Sequence, residues 1–112
     1  MAASHAIKER HIQEQIAAND LKNNAELLTL QIQKAWDELV EAYAQIGVAN
    51  VTVQQAEENL KINQDNFHAG TVNVSDMLEA EAMVQQAQNQ LIDAQTAYKT
   101  KRVAYLQATG KN

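Results

Sequence analysis

Few side chains in this sequence could do chemistry. The three histidines are His5, His11 and His68. The first two are six residues apart, a spacing that does not bring two imidazoles to one face of a helix, and the third lies far along the chain, so no metal site is expected. Cysteine is absent, which removes thiol nucleophiles, disulfides and Cys-based zinc sites and leaves the redox compartment unread. No GxSxG, phosphate-binding loop, dinucleotide fingerprint or HExxH pattern occurs. Without a nucleophile beside a base, neither catalysis nor a cofactor is expected. One acidic pair stands out: Asp76 and Glu79, three residues apart, share a face of any helix that carries them. Asp76 also has a plainer use, because an acid three residues after Asn73 completes an approximate capping box and favours the helix dipole.

The elements that must position these groups follow from composition and spacing. The chain has 112 residues, enough for one domain at most. Nineteen alanines, 14 glutamines and 10 asparagines leave few bulky side chains, so a globular core would be thin. A net charge of −5 with scattered bases argues against a nucleic-acid surface, whose affinity comes mainly from phosphate neutralisation. No apolar run approaches the roughly 20 residues that span a bilayer, and the first residues lack the build of a signal peptide; the polypeptide is expected to be soluble.

Proline is missing and the glycines stand at 47, 70 and 110. Punctuation therefore concentrates at Ala69-Gly70-Thr71-Val72-Asn73, with Gly70 suited to a left-handed helix C-terminus and Asn73 to an N-cap. The rest is mostly Ala, Gln, Glu, Leu and Lys, which predicts a helix over about 4–67, a turn over 68–73 and a helix over about 74–109. Apolar residues then form two heptad seams. Ile32, Leu39, Ile46, Val53, Leu60 and Phe67 recur every seven residues, as do Met77, Val84, Leu91, Tyr98 and Tyr105. Phe67–Met77, Leu60–Val84, Val53–Leu91, Ile46–Tyr98 and Leu39–Tyr105 share an index sum of 144, and the alanine pairs Ala56–Ala87, Ala49–Ala94 and Ala35–Ala108 share 143. One register satisfies them all. The expected fold is all-α: a long antiparallel helical hairpin with alanine layers that let the axes approach closely. Asn63 on the same seam is a polar intruder that fixes register at some cost in stability.

A self-sufficient hairpin leaves two things unexplained. At about 1.5 Å per residue the helices would be roughly 95 and 55 Å long, so about thirty N-terminal residues have no partner within the chain. The seam does run back through Leu28, Ala25, Leu21, Ala18, His11 and Ile7, and this arm either pairs with another copy or breaks near Asn19–Asn24 and folds back. Apolar residues also lie off the seam, among them Leu27, Leu30, Trp36, Val40, Tyr43, Val48, Val51 and Ile62, then Leu78, Ile92, Val103 and Leu106. A lone two-helix coil needs one stripe. The second stripe fits a homodimeric four-helix bundle or staves of a larger helical wall; self-association into bundles is expected for the isolated chain. Trp36, Val40 and Tyr43 read as packing residues rather than a ligand platform. Glu57-Glu58 and Lys99, Lys101 and Arg102 read as solvated faces or as i,i+4-type helix support.

The segment Ala56-Glu57-Glu58-Asn59-Leu60, with Phe67-His68-Ala69-Gly70-Thr71-Val72-Asn73-Val74-Ser75-Asp76-Met77-Leu78-Glu79-Ala80-Glu81, resembles the outer membrane efflux protein (TolC) family around the turn joining its last two long helices. The similarity continues through Leu91-Ile92-Asp93-Ala94-Gln95-Thr96-Ala97-Tyr98 to Leu106-Gln107-Ala108-Thr109-Gly110, covering residues 25–110. The resemblance implies the C-terminal periplasmic hairpin of a longer protomer. Family members are trimers in which a β-barrel crosses the outer membrane and an α-helical barrel enters the periplasm. They form an exit duct for small molecules or proteins, docked to a periplasmic adaptor and an inner-membrane pump. This chain would meet the membrane only through the β-barrel it lacks. Gly70, Thr71, Val72 and Asn73 would then be the adaptor-contacting tip. Asp76 and Glu79 would line the lumen at its narrow entrance, where threefold symmetry makes cation-favouring rings of them. At Phe67 the family usually has a tyrosine, whose hydroxyl in some members takes part in a gating hydrogen bond that phenylalanine cannot make. Two other readings stay open: a stand-alone structural or interaction coiled coil, and the hairpin of a periplasmic adaptor, although adaptor-like β segments do not appear.

Overall fold

A computed structural model of the protein describes residues 2–110. They form two α-helices, α1 (Ala2–His68) and α2 (Val74–Ala108), and no strand occurs among the described residues. The helices extend a residue or two beyond the predicted start and end of the first and stop one residue short at the end of the second, a difference within ordinary fraying of helix ends. The chain divides into two compact units, Met1–Lys34 and Ala35–Asn112.

In the first unit the described residues are helical, and α1 passes through Asn19–Asn24 without a break. The fold-back alternative is therefore not what the chain adopts; a run of residues without proline or glycine has nothing to stop the helix. The apolar residues of the seam here are open to solvent, with Ile7 at 70% and Leu21 at 72% exposure. Leu28, where the regular seam begins, is half exposed.

The second unit contains the hairpin. Trp36 meets Tyr105 with ring centroids 5.4 Å apart, Tyr43 meets Tyr98 at 5.7 Å, and the Lys101 ammonium lies 3.3 Å from the Glu38 carboxylate. As the index rises along α1 it falls along α2, so the two helices run antiparallel. The residues enclosed most completely are alanines: Ala42, Ala49 and Ala56 on α1, and Ala80 and Ala87 on α2, the last two only 2% exposed. Between these layers Leu39, Ile46, Val53, Leu60 and Phe67 on α1, and Met77, Val84, Leu91, Tyr98 and Tyr105 on α2, are half-buried. Small residues go deepest because close helix approach leaves no room for more than a methyl group between the backbones, while larger side chains lie out along the seam's edges.

The turn is fixed by two complete capping motifs. At the end of α1, the Gly70 amide donates to the Phe67 carbonyl at 3.0 Å and the Thr71 amide to the Asn66 carbonyl at 2.9 Å, the paired bonds of a Schellman motif. Gly70 adopts φ +76°, the left-handed region where a Cβ is disfavoured. At the start of α2, Asn73 Oδ1 accepts from the Asp76 amide at 2.9 Å and Asp76 Oδ2 accepts from the Asn73 amide at 3.3 Å. Gly110, φ +73°, closes α2 in the same left-handed conformation.

Candidate functional site

Three surfaces of the hairpin could meet another molecule: the turn and two flanks. At the turn, Gly70, Thr71 and Asn73 are exposed and Val72 is half-buried. The Thr71 hydroxyl donates to the Asn66 carbonyl at 3.0 Å, so it reinforces the α1 cap. The exposed backbone here is held in one conformation by bonds on both sides, which suits a docking surface that need not be ordered on binding. Phe67 is half-buried beneath the turn, its ring 6.0 Å from that of His68.

Asp76 and Glu79 are both exposed and border one shallow groove of about 140 Å³ together with Asn59, Asn63, Ala80 and Met83. The i, i+3 spacing thus does bring them to one face. Asp76 is at the same time the reciprocal half of the α2 capping box. Asn63, the polar residue on the seam, donates within its own helix to the Asn59 carbonyl at 2.8 Å and to its side-chain oxygen at 3.3 Å. Its amide nitrogen thus finds acceptors without reaching α2. Among the described residues no group of three His, Cys, Asp or Glu side chains could hold a metal ion, and the His11 ring lies 3.3 Å from the Gln15 amide nitrogen.

The groove flank continues away from the turn as a cleft of about 270 Å³, bordered by Thr52, Gln55 and Asn59 of α1 and Met83, Gln86 and Gln90 of α2. Its lining is amides over alanine, which can hydrogen-bond a neighbour but offers no charged anchor. The other flank is aromatic: Trp36, Leu39, Val40, Tyr43 and Tyr98 line an open hollow of about 310 Å³. Trp36, Val40 and Tyr43 remain 47%, 49% and 67% exposed.

Two of these contacts are not anticipated by the seam pairing. Trp36 and Tyr43 lie beside the seam, yet their rings meet those of Tyr105 and Tyr98 in tilted and edge-on contacts. A signal for this exists, since both pairs share an index sum of 141, three less than the 144 of the bulky seam pairs. Lys101 lies on the seam but is half-buried and paired with Glu38 across the hairpin, which corrects its reading as part of a solvated face. A long side chain at the seam's edge can cover apolar surface while its charge reaches a partner outside. Glu57, Glu58, Lys99 and Arg102 are exposed.

No protein-family model, curated protein or solved structure matches the chain. Among the described residues no helix is long and apolar enough to cross a membrane.

Proposed function

We propose that this hairpin is part of the periplasmic helical wall of a trimeric outer-membrane efflux or secretion duct. In this reading it belongs to a longer protomer that exports small molecules or proteins together with a periplasmic adaptor and an inner-membrane transporter. The observation that carries the reading is the turn segment, Phe67-His68-Ala69-Gly70-Thr71-Val72-Asn73, followed at once by Asp76 and Glu79 on one exposed face. The off-seam apolar residues support it, for Val48, Val51 and Ile62 on α1 and Leu78, Ile92 and Val103 on α2 are all more than half exposed, and in a wall one helix thick each helix has a neighbour on either side. In the duct the turn contacts the adaptor, and Asp76 and Glu79 form acidic rings around the lumen.

The test is made in cells carrying the full-length protein. A bulky residue at Val72, or Gly70→Pro, should reduce crosslinking to the adaptor and efflux while trimers still form. Neutralising Asp76 and Glu79 should weaken block of the channel by divalent cations. Unchanged crosslinking and efflux would remove the tip assignment, and an identical conductance response would remove the lumen assignment. A stand-alone interaction coiled coil is the second reading, favoured by a seam that closes within the chain. It would show neither effect.

A further inference from the structure

The described residues of the unit Met1–Lys34 form one helical arm, and its large apolar side chains fall on two opposite faces. At 3.6 residues per turn, Ile12, Ile16, Leu27 and Leu30 lie within about 60° of one another, on the side away from Ile7, Leu21 and Ala25. All four are at least 54% exposed. Asn23 lies in the middle of this second stripe, Asn19 beside it, and Glu9 and Lys34 near its two ends; these four are exposed as well. Read along the arm, the stripe is an acid, two large apolar residues, two amides, two large apolar residues and a base. Such an order is complementary to itself only when reversed.

We propose that this stripe binds the same stripe of a second copy of the chain, the two arms running antiparallel about a twofold axis. Ile12 then meets Leu30 and Asn19 meets Asn23, with an index sum of 42, while Ile16 meets Leu27 and Glu9 meets Lys34, with a sum of 43. By symmetry each contact occurs twice. Neighbouring registers fail: a sum of 39 sets Ile16 on Asn23 and Leu30 on Glu9, and a sum of 46 sets Leu27 on Asn19 and Ile12 on Lys34. Parallel arms in register would set Glu9 on Glu9 and Lys34 on Lys34. The face of Ile7 is a poorer choice, because its reversed register sets Glu14 on Ala25 and His11 on Leu28, again with a sum of 39. Amides paired across the axis satisfy each other and fix the register at some cost in affinity. Of the arm's other charges, Arg10 and Glu14 lie on the opposite face, and Lys22 and Glu26 lie to one side, four residues apart. Lys8, at the edge of the stripe, comes level with the neighbour's Lys34 but lies farther from it than Glu9 does. Asp20, beside the amides, approaches its own copy across the axis, a like pair that weakens binding. The proposal goes beyond the duct reading and does not rest on it.

Cysteine crosslinking and sedimentation equilibrium of the 112-residue chain test it. The chain has no cysteine, so introduced ones report their own neighbours. After mild oxidation a mixture of Glu9→Cys and Lys34→Cys should give the mixed disulfide, and neither variant alone should form a disulfide dimer. Arg10→Cys mixed with Lys34→Cys, level but on the wrong face, should stay reduced. In sedimentation, Glu9→Lys should associate at least about tenfold more weakly than the wild type, Glu9→Lys/Lys34→Glu should recover the wild-type affinity, and Asp20→Asn should tighten it. These four sites are exposed, so the helical circular dichroism of each variant should match the wild type. A wild-type chain that stays monomeric at about 1 mM, a disulfide dimer of Glu9→Cys alone, or crosslinking of Ile7→Cys to Ile32→Cys in place of the Glu9→Cys and Lys34→Cys pair would overturn the proposal. So would a double variant no stronger than Glu9→Lys, or an Asp20→Asn chain that associates more weakly. Each of these results leaves the duct reading standing, since adaptor crosslinking in the full-length protein tests that separately.

Discussion

Ala87→Leu is the substitution that bears most directly on how the hairpin is held together. Ala87 is 2% exposed, and a methyl-sized side chain at such a position is what lets two helix axes approach at the close end of the roughly 8–10 Å range for packed pairs. Leucine adds three carbons there. Forcing extra methylenes into a packed site costs about 1–3 kcal/mol. The cleft of about 270 Å³ bordered by Ala56 and Ala87 gives the new side chain a partial outlet, so the loss should fall in the lower half, about 1–2 kcal/mol. For a unit of this size each kcal/mol lowers the melting temperature by about 4–8 °C, which puts the expected drop at roughly 4–16 °C. Thermal and urea denaturation followed by far-ultraviolet circular dichroism, at high salt and low concentration to suppress association, would measure it. Ala82→Leu is the control, because Ala82 is exposed on the same helix and should change stability by no more than about 0.5 kcal/mol. If Ala87→Leu melts with the wild type, or if Ala82→Leu loses as much, the alanine layers are not what sets the helix spacing.

Four further substitutions probe the turn and the cross-hairpin ion pair. At Gly70 an added Cβ would meet nothing within 4 Å, so the cost of Gly70→Ala is the left-handed backbone alone, about 1–2 kcal/mol, and Gly70→Asn should lose less; equal melting of all three proteins would contradict the cap geometry. Asn73→Ala removes the acceptor for the Asp76 amide and should cost about 1 kcal/mol in urea denaturation, an unchanged midpoint counting against the capping box. Lys101→Met breaks a pair at 3.3 Å whose side chains are 42% and 37% exposed, so it should change stability by less than about 1 kcal/mol; a loss of several kcal/mol would mean the pair holds the register.

The elements that strict periodicity specifies were legible from the residues alone. The four-and-three spacing from Ile32 to Phe67, and from Met77 to Ala108, marks the residues that the structure encloses or half-encloses, and Gly70 and Asn73 take the conformations their chemistry suggests. Each of these is a local or strictly repeating property. What the spacing did not supply was the behaviour of side chains at the seam's edge. Whether Trp36 turns outward or folds over Tyr105, and whether Lys101 reaches Glu38, depends on rotamers and on the offset between helices, which a heptad count does not encode. The exposed acids Asp76 and Glu79 are a different case. Spacing brings them to one face, but what they meet there depends on neighbours outside the chain.

The distribution of side-chain size in the hairpin connects its folding to its surroundings. Among the described residues all five buried ones are alanines, and burying a methyl group stabilises far less than the roughly 1.5–3 kcal/mol of a fully buried Leu, Ile or Phe. The large apolar side chains that would supply that stabilisation in a globular protein lie outward instead, with Trp36, Tyr43, Val48, Val51, Ile92 and Val103 all near or above half exposed. Close approach through alanine and outward display of bulk are one choice seen from two sides: a seam thin enough for backbones to meet cannot also enclose large side chains. A further share of the hydrophobic stabilisation open to this sequence therefore lies on its flanks, where a neighbouring helix can realise it. The same pattern that makes the hairpin's register readable makes its stability depend on what stands beside it.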